Sequence, residues 1–338
     1  MPLFGHDGAV AAFREALDSG RLHHAWLISG PEGVGKGTFA RAAALRLLAD
    51  GAGPPPGEAG LGVEADHPTA KLFAAASHPD YRLVEREVWD GKGNIIPKHE
   101  RSGNEELGRN IRVSQIRSMS ALLSMRPSMS SRRAIVIDSA DDLEPGAANA
   151  LLKSLEEPPS GTIFLLVSHA PERLLPTIRS RCRHLRLSTL GSEAMTSALK
   201  AALPDLDDTE IEGLREAGEG APGRAVALRG LQIDALDRSL ELLATKGDPT
   251  NARRSELAQS LALKSAQPRY QIFLKRAPSL IARSARQRSG PELAEAIGLW
   301  EKARELADSA VGLSLDPQSV VFELAGMVAA LAPKELAR

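Results

Sequence analysis

The stretch HAWLISGPEGVGKGTFARAAALRLLA, residues 24–49, constrains the fold more than any other. Residues 24–29 are a short continuous apolar run, residues 38–49 have helical spacing and strong helix formers, and a glycine loop joins the two. Gly30, Gly33 and Gly35 let the backbone curl so that its N–H groups converge on phosphate oxygens, and the start of the following helix adds a favourable partial charge. Lys36 is the expected contact to the outer phosphates, and Val34, Gly37 and Thr38 complete the loop. The loop departs from G-x-x-x-x-G-K-[ST] at one place: Gly37 stands where a hydroxyl normally holds Mg²⁺. Thr38 comes one residue late, about 100° further round the helix, and does not replace it.

A strand, phosphate loop and helix in succession belong to a parallel sheet, and the chain continues in that style. AIVID (134–138), TIFLLVS (162–168) and HLRL (184–187) read as buried strands. Residues 9–20, 114–125 (opened by a capping Ser) and 147–157 (stopped by Pro158 and Pro159) read as helices. Residues 51–66 are rich in Pro and Gly and read as a surface loop. The polar residues 85–110, following DYRLVE, read as a loop or irregular hairpin. From about residue 190 no strand pattern recurs. LAEAIGLWEKARELA (293–307) puts Leu293, Ala296, Ile297, Trp300 and Leu306 on one face, SVVFELAGMVAAL (319–331) is likewise helical, and breaks fall near 219–223 and 246–250. A length of 338 residues fits two or three domains.

Composition narrows the function classes. With 42 basic and 43 acidic residues the formal charge is −1, so any contact with nucleic acid is local rather than a bulk effect. Cys182 is the only cysteine, which excludes an internal disulfide and any zinc site built on two or four thiolates. No run of 18 apolar residues occurs and the start lacks a secretory pattern, so the expectation is a cytoplasmic protein with no membrane partner.

The second half of the phosphate chemistry belongs at the end of AIVID. Asp138 is the carboxylate that reaches Mg²⁺ directly or through water, but Ser139 follows where hydrolysing enzymes carry a water-activating Glu. Asp141 and Asp142 read as acids favouring a helix N-terminus. His23, His24, His67, His78 and His169 lack ligand spacing and read as structural or solvated, and Cys182 as a small buried residue. Two hydrolytic features are thus missing from two separate motifs.

RLHHAWLISGPEGVGKGTFA, HPDYRLVE, AANALLKSLEEPPSGTIFLLVSHAPERLLPTIRSRC and GAPGRAVAL together resemble the AAA+ subunits of the bacterial DNA polymerase III clamp loader, strongly over about residues 3–230 and most closely its delta-prime branch. The resemblance implies an α/β AAA+ core with a RecA-like parallel sheet over 1–188, a helical lid over 189–245 and an all-α C-terminal collar domain over 246–338. It places Ser168 and Arg224 at two nucleotide-sensing positions and makes Arg181, in SRC, an arginine finger acting in trans on a neighbouring subunit. Implied partners are gamma/tau and delta subunits in a hetero-pentamer, the sliding clamp, and primed DNA reached through Arg112 and Arg117. ATP or ADP is the implied ligand. Many members carry a four-cysteine zinc module after the first helix; residues 51–77 have no cysteine, so no zinc is expected. The favoured reading is a stator that hydrolyses little or nothing itself. A gamma/tau-like motor ATPase and a P-loop small-molecule kinase are the alternatives, the latter disfavoured by a tail with no acceptor site.

Overall fold

The computed structural model describes residues 3–53, 56–88, 95–96, 108–229, 233–263, 266–313 and 315–333. Most of the stretch expected as an irregular loop at 85–110 lies outside them. Contacts divide the chain into two compact units, Met1–Ala227 and Leu228–Arg338.

The first unit is built on five strands: β1 (Ala25–Ser29), β2 (Tyr81–Glu85), β3 (Arg133–Asp138), β4 (Thr162–Ser168) and β5 (Arg183–Arg186). All pair in parallel, in the order β2-β3-β4-β1-β5. The runs of β1, β3 and β4 are almost continuously apolar because both faces are covered, whereas the edge strands β2 and β5 carry exposed polar residues. Trp26, Ile28, Ala134, Val136, Leu165 and Val167 face one cluster with α1 (Asp7–Asp18) and α2 (Lys36–Ala52). The alternate residues Ala25, Leu27, Ile135, Ile137, Phe164 and Leu166 face the other with α4 (Val113–Leu123) and α5 (Pro145–Glu156). From β1 the chain crosses to the far edge and works back, so the loop after β1 opens at the carboxyl edge where strand order reverses. Ligands of parallel sheets bind there.

Four features lay outside the sequence reading. Beyond the loop expected at 51–66 lies a helix that was not anticipated, α3 (Pro68–Ala74), whose Thr69 N–H donates to His67 Nδ1 at 3.2 Å. Ahead of it, the buried Arg46 gathers the chain. Nε donates to Asp50 at 2.9 Å, Nη1 to the carbonyls of Glu58 and Gly62 at 2.7 and 2.9 Å, and Nη2 to that of Pro56 at 3.4 Å. In α4 the N-cap is Arg112 rather than a serine, its N–H donating to Gln115 Oε1 at 2.9 Å. Between α4 and β3, buried Asp80 accepts from the amides of Ser128, Met129 and Ser130 at 2.7, 2.7 and 2.9 Å.

The short helices α6 (Pro176–Arg179), α7 (Ser192–Ala202), α8 (Asp208–Gly218) and α9 (Pro222–Leu228) complete this unit; Met195, Leu199, Ile211 and Ala225 join the core that holds α1 and α2. The second unit consists, among described residues, of α10 (Ile233–Lys246), α11 (Ala252–Leu261), α12 (Gln267–Ala285), α13 (Gly290–Gly312) and α14 (Pro317–Ala329). Packing changes after Ala227, so α10, expected within the lid, lies with these helices through Leu236, Leu240 and Leu243. The buried stripe of α13 is Ala296, Ala303 and Ala310, with Leu293, Trp300 and Leu306 at its margins; Ile297, expected on that face, is 41% exposed.

Candidate functional site: a phosphate cradle and a half-exposed arginine

The loop between β1 and α2 has the curled backbone that its glycines predict. Gly30, Gly33 and Gly35 have φ of 146°, 81° and 103°. A Cβ on Gly30 would meet the Leu187 carbonyl oxygen at 2.2 Å, and one on Gly33 the Arg224 amide nitrogen at 2.6 Å. Lys36 is buried and its Nζ donates to the carbonyls of Gly30 and Pro31, both at 2.6 Å. Burial pulls its pKa down to about 8 against the opposing charges of Asp141, Glu32 and Asp138. Buried His6, ahead of α1, donates from Nε2 to the Val34 carbonyl at 2.8 Å and props the loop from below. Thr38 follows in the first turn of α2.

Asp138 ends β3 against the open face of Gly37. A Cβ at Gly37 would lie 2.5 Å from Asp138 Oδ2, so the carboxylate occupies the space that a Ser or Thr side chain needs. The same Oδ2 lies 3.4 Å from Arg41 Nη1. The family's Mg²⁺ does not fit these residues. One hydroxyl ligand is missing, the remaining carboxylate is paired with a guanidinium, and the water-activating Glu is Ser139.

Ser168, at the end of β4, donates to Asp141 Oδ1 at 2.7 Å, and Ser139 donates to Asp141 Oδ2 at 2.8 Å. The amides of His169 and Ala170 donate to the same carboxylate at 2.6 and 3.3 Å. Burial alone would raise the Asp141 carboxyl, but these donors hold it below the usual range. Asp141, expected as a helix-end acid, instead ties the ends of β3 and β4 together and takes up the Ser168 hydroxyl. Asp142 pairs with Arg86 at 3.1 Å.

Arg224 sits where α9 meets the cradle: the Gly223 N–H donates to the Gly33 carbonyl at 2.8 Å. Its guanidinium is committed to the Gly218 carbonyl at 3.0 Å and Glu219 Oε2 at 2.5 Å. Arg181 stands apart from the cradle. After α6 it donates to the Thr177 carbonyl at 2.9 Å and pairs with Glu156, in the SLEEPP segment, at 2.7 Å, with its side chain 34% exposed. Its neighbours differ in role: Arg183 stacks on Trp26 at 4.9 Å, and burial pushes the Cys182 thiol up to about 12, which leaves no nucleophile. Arg117 lines a cleft between α4 and α5 with Asn149 and Lys153. Among the described residues no three His, Cys, Asp or Glu side chains form a metal-binding group, and no helix is long and apolar enough to cross a membrane.

The sequence therefore named the cradle, Asp138 and Ser168, which the fold brings to one edge of the sheet, and missed His6, Arg41 and Asp141. Arg41 had a signal, standing four residues after Gly37 and so on its helical face. His6 and Asp141 act through tertiary partners and had none.

Residues 5–191, more than half of the chain, match the family described as DNA polymerase III, delta subunit. The chain is 36% identical over 207 residues to the DNA polymerase III subunit delta' of Pseudomonas aeruginosa, covering 61% of this chain and 56% of the relative. It is 32% identical over 213 residues to subunit delta' of Escherichia coli, covering 63% and 56%. To subunit gamma/tau of Mycobacterium bovis it is 29% identical over 222 residues, covering 64% and 34%. The matches thus span little more than half the length of the delta' relatives. On the matched sheet, cradle and SRC segment, this chain belongs to the delta-prime family of DNA polymerase III subunits.

Proposed function

We propose that this chain is a stator-type subunit of a clamp loader. It assembles with gamma/tau and delta subunits in a hetero-pentamer, helps load the sliding clamp onto primed DNA, and lends Arg181 to the neighbouring subunit's ATP site while hydrolysing little or nothing itself. The observation that carries the reading is the contrast inside one domain. The cradle keeps its backbone shape and Lys36, but the polar side chains around it are spent on each other: Ser168 and Ser139 on Asp141, Asp138 on Arg41. Arg181, by contrast, is held half-exposed by one carboxylate that a phosphate can replace. ATP or ADP remains a fitting ligand for the loop, and Arg112, Arg117 and Lys153 supply local charge for sequence-independent phosphate contacts.

The test is reconstitution with gamma/tau and delta partners. Arg181→Ala should leave folding and assembly intact and sharply reduce DNA- and clamp-stimulated ATP hydrolysis. Fingers acting in trans are worth roughly 10³–10⁵ in rate at a single site, and less when one site of several is affected. Arg181→Lys should not rescue, because it lacks the planar fork. Equal rates for wild type and Arg181→Ala would remove the finger. A gamma/tau-like motor is the second reading, kept because Lys36 and Asp138 are both present. Steady hydrolysis by the isolated chain, abolished by Lys36→Ala, would select it.

A further inference from the structure

Arg41 is a basic side chain at the cradle that neither motif accounts for. Its Nη1 lies 3.4 Å from Asp138 Oδ2, and 3.5 Å from where a Gly37 Cβ would stand. The guanidinium and the carboxylate therefore share the volume in which a metal-dependent loop holds its hydroxyl ligand and cation. One further group marks this corner as short of polar partners. The Tyr81 hydroxyl is buried with no hydrogen bond, and burial pushes its pKa up to about 12 while the Arg41 charge opposes the shift. Gly37 is what makes the arrangement possible, since any side chain there collides with Asp138.

We propose that Arg41 is the resident cation of this cradle: its guanidinium takes the place of the divalent ion beside Asp138, so that a nucleoside di- or triphosphate binds without Mg²⁺. Charge bookkeeping supports the exchange. A cation must offset both the Asp138 carboxylate and the phosphates, and Lys36 together with Arg41 supplies two positive groups without dehydrating an ion. Because the guanidinium cannot be titrated or chelated, binding is indifferent to EDTA. It also cannot activate water, which agrees with Ser139 in the position of a general base. The inference deepens the phosphate-cradle reading above but is independent of assembly with other subunits.

The experiment measures ADP binding to the full chain, by fluorescence of a labelled analogue, in EDTA and in Mg²⁺, with Mn²⁺ paramagnetic resonance as a second readout. Wild type should bind ADP with the same affinity in both buffers and recruit no Mn²⁺. Arg41→Ala should lose about tenfold in EDTA, because Asp138 now repels the phosphates, and should regain it in Mg²⁺. Arg41→Ala with Gly37→Ser should bind Mn²⁺ together with ADP, and Asp138→Asn should remove that binding; circular dichroism and Arg41→Gln control for folding. Three results would each overturn the proposal: no ADP binding by wild type in either buffer, Mg²⁺-dependent binding by wild type, or an Arg41→Ala variant with unchanged affinity in EDTA. A failed ATPase or assembly test of the stator reading leaves these measurements untouched.

Discussion

Near the start of α2, Arg41 holds one carboxylate, Asp138, at 3.4 Å with 31% of its side chain exposed. Near its end, Arg46 keeps 5% exposure and reaches Asp50 and the carbonyls of Pro56, Glu58 and Gly62. Both guanidiniums belong to one helix and both meet a carboxylate, the first at the mouth of the phosphate loop and the second beside the segment that follows α2. Their surroundings separate what they do. Arg46 satisfies backbone carbonyls that have moved out of water and cannot rotate to other partners, so it organises the path of residues 56–62. Arg41 meets a side-chain carboxylate at an open edge, where water screens the pair and either group can turn away. The first arrangement is structural, the second adjustable.

The sharpest way to break this contrast is to remove Arg46. Arg46→Ala leaves three carbonyls without their donor and Asp50 with only Arg14, at 3.0 Å. The expected loss of stability is about 2–4 kcal/mol, read as a lower urea midpoint. Arg46→Lys keeps the charge but not the fork and should recover less than half. Protease digestion should cut first within residues 53–66. A change in midpoint no larger than that of a surface substitution would mean that the segment holds its path without Arg46.

Gly37→Ser probes the other end. The added Cβ falls 2.5 Å from Asp138 Oδ2, yet serine is the better helix former, so the two effects oppose. Strain should win by about 1–2 kcal/mol, since the carboxylate must leave Arg41 to make room. In the Arg41→Ala background the carboxylate is free to rotate and the cost should shrink. Strict additivity of the two changes would show that they do not share this space.

The difference also explains what was legible beforehand. The strands showed as apolar runs because a sheet covered on both faces needs them, and the cradle showed because its chemistry lies in consecutive glycines whose backbone conformation is local. Asp138 was found as the polar end of an apolar strand, and Ser168 through the resemblance alone. Arg46 showed only its i,i+4 partner Asp50; its other partners are main-chain carbonyls, which carry no residue signature. Asp141 was misread as a helix-end acid for a related reason: its donors come from β4 and the turn after it, distant in sequence. Helix α3 was missed because a histidine caps it, although Pro68 at its first position was a usable sign.

A pH series separates the cradle from the Arg46 segment by a smaller effect. Lys36 has a folded-state pKa of about 8 against an ordinary value of 10.5. Between those values the unfolded chain binds more protons, so this group adds stability as pH rises through that window and nothing below it. Lys36→Met should flatten the rise, whereas Arg46→Ala should shift the whole curve down without changing its slope there. Phosphate binding should run the other way, weakening as Lys36 loses its proton above about pH 8. A wild-type slope retained in Lys36→Met would assign the titration to another group.

The smallest effect should come from Arg41→Ala on stability alone. Its partner is a single carboxylate at 3.4 Å, both side chains keep solvent contact, and exposed pairs of this kind contribute about 0–1 kcal/mol. Raising the salt concentration should reduce the difference further, because solvent screens the pair; the Arg46→Ala difference should persist, since that guanidinium is almost wholly buried. The Gly37 helix turn and the strand edge remain packed through Phe39 and Ile137 whether or not the pair forms. Urea midpoints for both variants, at low and high salt, make the comparison directly. If Arg41→Ala cost as much as Arg46→Ala and resisted salt equally, the cradle arginine would be a structural post like its neighbour on the helix. Its claim to act as an exchangeable cation beside Asp138 would then fall with the measurement.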